Sequence, residues 1–206
     1  VVGMTNLKEY SGLHVEGHIK IFDPASGETF INKRNAINYE NMSLSLAESL
    51  ANRGQGFIYE MSFGNGGTSV DPTGIITYLT PNTTGTNASL YNQTYTKVID
   101  DRSVNNVDPT RNKTEVRHVS GTNYTDILIS CLLDYGEPSG QEAFDTSSNS
   151  NGLYVFDELG LKGFKSSDTG RLLTHVIFHP VQKSLNRLIQ IDYTVRVQSL
   201  SGFNEG

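Results

Sequence analysis

Within the segment 188–200, residues 189–198 alternate without a break. Ile189, Ile191, Tyr193, Val195 and Val197 fall on one side, and Gln190, Asp192, Thr194, Arg196 and Gln198 on the other. A period of two is the side-chain period of a β-strand with one buried and one wetted face. The same period recurs at 13–22, where Val15, Gly17, Ile19 and Ile21 oppose His14, Glu16, His18 and Lys20, and at 57–63. Shorter apolar runs predict further strands near 28–31, 75–79, 93–99, 114–119, 125–133 (buried on both faces), 153–161 and 172–179. Strand follows strand with almost no helix between, so the sheets should be mainly antiparallel. A mainly β fold results, closing as a β-sandwich or jelly-roll-like core.

Local chemistry fixes some of the connections. Asp23-Pro24-Ala25-Ser26-Gly27 is turn chemistry and makes 13–31 a hairpin. The strands at 172–179 and 188–200 are expected to pair around 180–187. One amphipathic α-helix is predicted over about 38–53. There Tyr39, Met42, Leu46 and Leu50 recur at three- and four-residue spacing, and Gly54 offers a left-handed cap. That stripe should be buried against a sheet. Gly, Asn, Ser and Thr crowd the segments 80–92, 100–112 and 136–152, which read as long polar loops that order against neighbouring subunits. With no repeat of fixed period and no boundary, residues 1–206 read as one structural domain.

Charge and cysteine usage narrow the function. The net charge is −6 and no run of Lys or Arg occurs, which argues against nucleic acid as a partner. Cys131 is the only cysteine and lies in an apolar run, the setting of a buried thiol. No apolar run approaches membrane-spanning length, and no secretory leader pattern opens the sequence, which begins at Val1.

The motifs that could carry chemistry are each incomplete. Gly64-Asn65-Gly66-Gly67-Thr68 follows a strand but lacks the Lys of a phosphate loop and leads to Asp71-Pro72, so it reads as a tight irregular loop. His14, Glu16 and His18 share a strand face at a spacing zinc could use, as do His175 and His179, but amphipathic strands show such faces routinely. Residues 147–158 have the oxygen spacing of a calcium loop ending at Glu158, with Ser in place of the first Asp and no flanking helices. Six Asn-X-Ser/Thr sequons, at Asn41, Asn82, Asn87, Asn92, Asn112 and Asn123, are expected from composition alone. No nucleophile elbow or catalytic carboxylate pair stands out. The expectation is therefore a chain with no catalytic, cofactor-binding or metal-binding residue. It should act through binding surfaces, with the neutral polar residues Gln190, Thr194 and Gln198, and Asn65 and Thr68 of the glycine-rich loop, as interface candidates.

Two stretches carry a resemblance. One runs from Gly17-His18-Ile19-Lys20-Ile21 through Lys33-Arg34-Asn35-Ala36-Ile37-Asn38-Tyr39 to Ser43. The other joins residues 57–63 to Gly64-Asn65-Gly66-Gly67-Thr68 and then to Leu90-Tyr91-Asn92-Gln93-Thr94-Tyr95. Over roughly residues 13–99 the chain resembles structural proteins of tailed bacteriophages, in particular tail- or neck-associated and fibre-base β domains. The sequence lacks the long repetitive C-terminal shaft of a fibre. The resemblance implies a virion subunit of the tail, neck or baseplate, assembled in the host cytoplasm with copies of itself and other virion proteins. A capsid decoration protein is a second structural reading. A carbohydrate- or receptor-binding module is a third, although the chain has no Trp and its Tyr residues are scattered.

Overall fold

A computed structural model describes residues 7–138, 153–167 and 169–205. In chain order its elements are β1 (Leu7–Phe22), β2 (Thr29–Arg34), β3 (Ala36–Ile37), α1 (Tyr39–Leu50), β4 (Ile58–Gly64), β5 (Thr68–Val70), β6 (Ile76–Tyr78), β7 (Gln93–Val98), β8 (Lys113–His118), β9 (Tyr124–Leu133), β10 (Leu153–Gly163), β11 (Arg171–Leu172), β12 (Thr174–Ser184) and β13 (Ile189–Glu205). A first sheet has the order β2-β1-β13-β9-β8. A second has the order β3-β12-β10-β4-β7, with β11 beside β10, and β5 and β6 form a separate pair. Neighbours run antiparallel throughout. The fold is the expected β-sandwich with one helix.

The period-two pattern fixes the core. Val15, Ile19 and Ile21 of β1, Ile129, Cys131 and Leu133 of β9, and the alternate residues Ile189 to Val195 of β13 bury one face of the first sheet. Met61 and Phe63 of β4, Phe156, Leu159 and Leu161 of β10, and Val176 and Phe178 of β12 meet them from the second sheet. Among the described residues the opposite face of the first sheet is uncovered and polar, so β9 is not buried on both faces; Ile129 is buried from the inner side alone, and only the C-terminal end, Cys131 to Leu133, is enclosed on both. The outer face of the second sheet is covered by the excursion 65–92 that carries β5 and β6. That explains why Ser62, Glu158 and His175 on this side are as buried as the core.

Three expectations need correction. First, β12 and β13 do not pair. They lie in different sheets, and residues 185–188 cross between the two. Alternation marks each segment as a strand but does not choose its partner, and both inner faces are buried by joining opposite layers. Pro180 does not end β12 either: the pairing with β10 jumps from Phe156↔Val181 to Glu158↔Ile177, a bulge that absorbs the missing N–H. Second, the helix is shorter than expected, with Asn38 as N-cap accepting the Asn41 N–H at 3.1 Å. Of its apolar stripe only Met42 is buried. Leu46 is half-buried, while Tyr39 and Leu50 are 62% and 84% exposed. Third, two of the polar loops are pinned within the chain. Asn38 and Asn41 donate their amide N–H groups to the carbonyls of Gly85 and Leu172, both at 2.9 Å. Asn106 bridges the carbonyls of Asp100 and Asn112, and Asn112 Oδ1 accepts the Leu132 N–H at 2.8 Å. Most of the third, from 139 to 152, lies outside the described residues, as does the start of the calcium-like spacing.

Candidate functional site

Among the described residues, Asp157-Glu158 on β10 and His175 on β12 bring titratable side chains together inside the molecule. Glu158 and His175 are completely buried. Glu158 Oε1 accepts the backbone N–H groups of Gly66 at 3.2 Å and Asn92 at 2.8 Å, and Oε2 accepts the Tyr91 N–H at 3.0 Å and His175 Nε2–H at 2.8 Å. His175 Nδ1 accepts the Asn82 N–H at 2.7 Å, so the ring proton sits on Nε2 and the imidazole is neutral. Asp157 takes the Gly67 N–H on one oxygen and both the N–H and the hydroxyl of Thr68 on the other, at 2.9, 2.9 and 2.6 Å.

The glycine-rich loop is thus an anion cradle whose anions are the chain's own carboxylates. Its glycines are needed for that approach: a Cβ on Gly64 would stand 2.4 Å from Asn92 O and 2.5 Å from Glu158 Oε1. Burial pushes the Glu158 carboxyl up, but the bonds from His175, Asn92 and Tyr91 outweigh it and hold the group below its ordinary value. Asp157 goes the other way: burial dominates, the bonds from Thr68 and Gly67 only partly offset it, and the neighbouring Glu158 charge adds to the rise. A His–Glu pair can serve as a general base, but here every acceptor position is filled and neither side chain reaches solvent. The pair works as a clip that holds 64–68, 82 and 91–92 onto the second sheet.

A second polar cluster does the same at the other end of the chain's loops. Lys183 donates to the carbonyls of Asp134, Glu137 and Ser184 at 2.9, 2.7 and 2.8 Å. Burial pushes its ammonium down to about 8 against the opposing charges of Glu137 and Asp134. Lys97 donates to Leu132 O at 2.6 Å and to the Glu137 carboxylate. Beside it, Cys131 is fully buried and its thiol is pushed up to about 12 by burial, the inert core thiol that its apolar run implies.

The interface candidates from the sequence are not brought together. Gln190, Thr194 and Gln198 lie on the uncovered face of the first sheet, half-exposed, on a strand whose two edges are occupied by β1 and β9 over 190–198. That stretch offers a face and no edge for strand addition. Asn65 and Thr68 sit on the far side of the molecule. Thr68 is spent on Asp157, and Asn65 Oδ1 accepts the Asn92 amide at 2.5 Å. Around the β13 residues, Arg196 grips Asp126 with two bonds of 2.8 and 3.0 Å and stacks 4.0 Å above Tyr124. His14, Glu16 and His18 occupy the same open face, with Glu16 3.9 Å from both His14 and Arg34. His175 is in the buried clip, whereas His179 is exposed and 3.3 Å from the Tyr78 hydroxyl. Among the described residues no three metal-ligating side chains converge, and no helix is long and apolar enough to cross a membrane. The sequons at Asn41 and Asn112 are on buried side chains and cannot accept a glycan in this fold.

Sequence reasoning missed Asp157, Glu158 and His175 as a unit. The available signal was two adjacent acids inside an otherwise apolar strand, together with a glycine-rich loop that has no cation to explain it. Comparison with protein-family models, curated proteins and solved structures returns no match.

Proposed function

We propose that the chain is a structural subunit of a phage virion, placed in the tail, neck or baseplate, that acts by binding copies of itself and other virion proteins. It turns over no substrate, takes no cofactor or metal, and contacts neither nucleic acid nor membrane. One observation carries the reading. The reactive-looking groups are sealed inside as loop clips, while among the described residues two β surfaces remain uncovered: the polar face of the first sheet and the far end of the β1–β13 ribbon. Half-exposed neutral side chains such as Gln190, Thr194 and Gln198 can hydrogen-bond a neighbour without stranding a buried charge. The sequence resemblance adds the virion setting.

Quantitative mass spectrometry of gradient-purified particles tests the proposal. A small, fixed copy number that co-purifies with tails supports it. Many copies that follow the filled capsid would mean a decoration protein. Absence from particles, with retention on a glycan array, would mean a carbohydrate-binding module and would overturn the structural reading.

A further inference from the structure

We infer that the folded chain joins Lys162 of β10 to Gln93 of β7 by a side-chain amide bond, with Glu60 of β4 carrying the protons and one ammonia released. The inference does not depend on the virion reading. It assigns a covalent modification site that the fold itself brings together. The three residues stand on three neighbouring strands of the second sheet, in the order β10, β4, β7. Lys162 is 4% exposed and lies opposite Glu60 in the register of β10 with β4. Its Nζ reaches across to Gln93 Oε1 at 2.6 Å. On the other side of the same amide, Gln93 Nε2–H donates to Thr96 Oγ1 at 3.1 Å, which fixes the carbonyl toward the lysine. Among the described residues this is the buried lysine that meets a side-chain amide. Lys97 and Lys183 donate to main-chain carbonyls, and Lys97 also to a carboxylate.

Burial supplies the reactivity. A lysine attacks a carbonyl only as the free amine. Burial pushes the Lys162 ammonium down, and the charge of Glu60 opposes this only in part. Burial likewise pushes the Glu60 carboxyl up against the opposing charge of Lys162. Both shifts favour an amine beside a carboxylic acid over an ion pair. A carbonyl bond is about 1.2 Å long, so Gln93 Cδ lies within about 3.8 Å of Nζ. That is close to the roughly 3–3.5 Å from which such attacks begin. Attack forms the Nζ–Cδ bond. Glu60 gives its proton to the departing Nε2 and takes one from Nζ, the Cδ–Nε2 bond breaks, and ammonia leaves. Glu60 ends protonated as it began, and no oxidant or other reactant is consumed. Gln93 is exposed and a cavity of about 380 Å³ opens beside Lys162, so ammonia has a way out.

The bond has a mechanical consequence. It links residues 69 apart in sequence, and like a disulfide it removes conformations from the unfolded chain. It also fastens β7, whose one partner strand among the described residues is β4, directly to β10.

Intact-mass spectrometry of the purified, denatured full chain tests this. The wild-type chain should weigh one ammonia less than its sequence requires. Trypsin should leave Lys162 uncut, in a branched peptide that also contains Gln93. Lys162→Arg removes the nucleophile, and Glu60→Gln keeps both partners but removes the proton carrier; each should have its full mass. On a reducing, denaturing gel the linked wild-type chain should migrate faster than Lys162→Arg. A wild-type chain of full mass, with Lys162 and Gln93 in separate linear peptides, overturns the inference. So does an ammonia loss that maps elsewhere, or a Glu60→Gln chain that links as completely as wild type. None of these results alters the copy number in particles by which the virion reading is judged.

Discussion

Glu158→Gln replaces one oxygen by NH2 at constant volume, and the clip gives its cost. In the native site each carboxylate oxygen faces two donors: Gly66 and Asn92 N–H on one side, Tyr91 N–H and His175 Nε2–H on the other. A glutamine must turn its own donor toward one of these pairs. His175 cannot relieve the conflict by changing tautomer, because its Nδ1 is held by the Asn82 N–H. Two bonds to a charged acceptor are lost, each worth about 1.5–3 kcal/mol, so the variant should be less stable by about 3–6 kcal/mol. That is a large part of the roughly 5–15 kcal/mol that holds a domain together, and on the order of 10–20 °C in melting temperature for a chain of this size. Urea unfolding followed by far-ultraviolet circular dichroism would measure it. Hydrogen exchange should show faster exchange at 64–68 and 82–92 than elsewhere. A loss below about 1 kcal/mol, the scale of a single ordinary hydrogen bond, would refute the clip.

Other perturbations follow from the same contacts. Because folding holds the Glu158 carboxyl below its ordinary 4.5, its contribution is complete above that value and is lost as pH falls through the folded value. The stability curve of Glu158→Gln, read by urea titrations at stepped pH, should therefore be flatter than wild type on the acid side. Met42→Ala should cost about 2–5 kcal/mol and Leu46→Ala distinctly less, since only Met42 is fully enclosed, and denaturant unfolding of both will rank them. Asn38→Ala removes the helix cap and the tie to Gly85 and should cost about 1–2 kcal/mol by the same assay. Gly64→Ala drives a methyl into Asn92 O and Glu158 and should displace the 64–68 loop, visible as amide shift changes in NMR spectra around residues 64–68 and 91–92.

The parts of the fold that were legible in the sequence are those where one face is buried and the other wet. β1 and β13 could be read residue by residue because Val15 to Ile21 and Ile189 to Val197 alternate without exception. Strand partners were not legible: β12 and β13 are adjacent in sequence and equally apolar, and their separation into two layers depends on what each inner face meets. The helix was found, but its stripe was expected to be buried, and a groove left open beside Leu46 shows that periodicity reports a capacity for burial without reporting its completion. The loops misled for a different reason. Polar composition at 80–92 suggested a need for external partners, whereas Asn38, Asn41, Glu158 and His175, all distant in sequence, satisfy that backbone from within.

Hydrogen–deuterium exchange on the free and the assembled chain compares directly the surfaces completed within one chain with those proposed to take a partner. In the free chain, the bonded amides of residues 66–68, 82 and 91–92 should already be protected by the buried carboxylates and His175. On assembly, new protection should concentrate at the ribbon residues 7–13 and 200–205 and along the edge of β8, which has no further strand among the described residues. Fast exchange at the clipped amides in the free chain, with assembly protecting them and leaving the ribbon unchanged, would contradict the account.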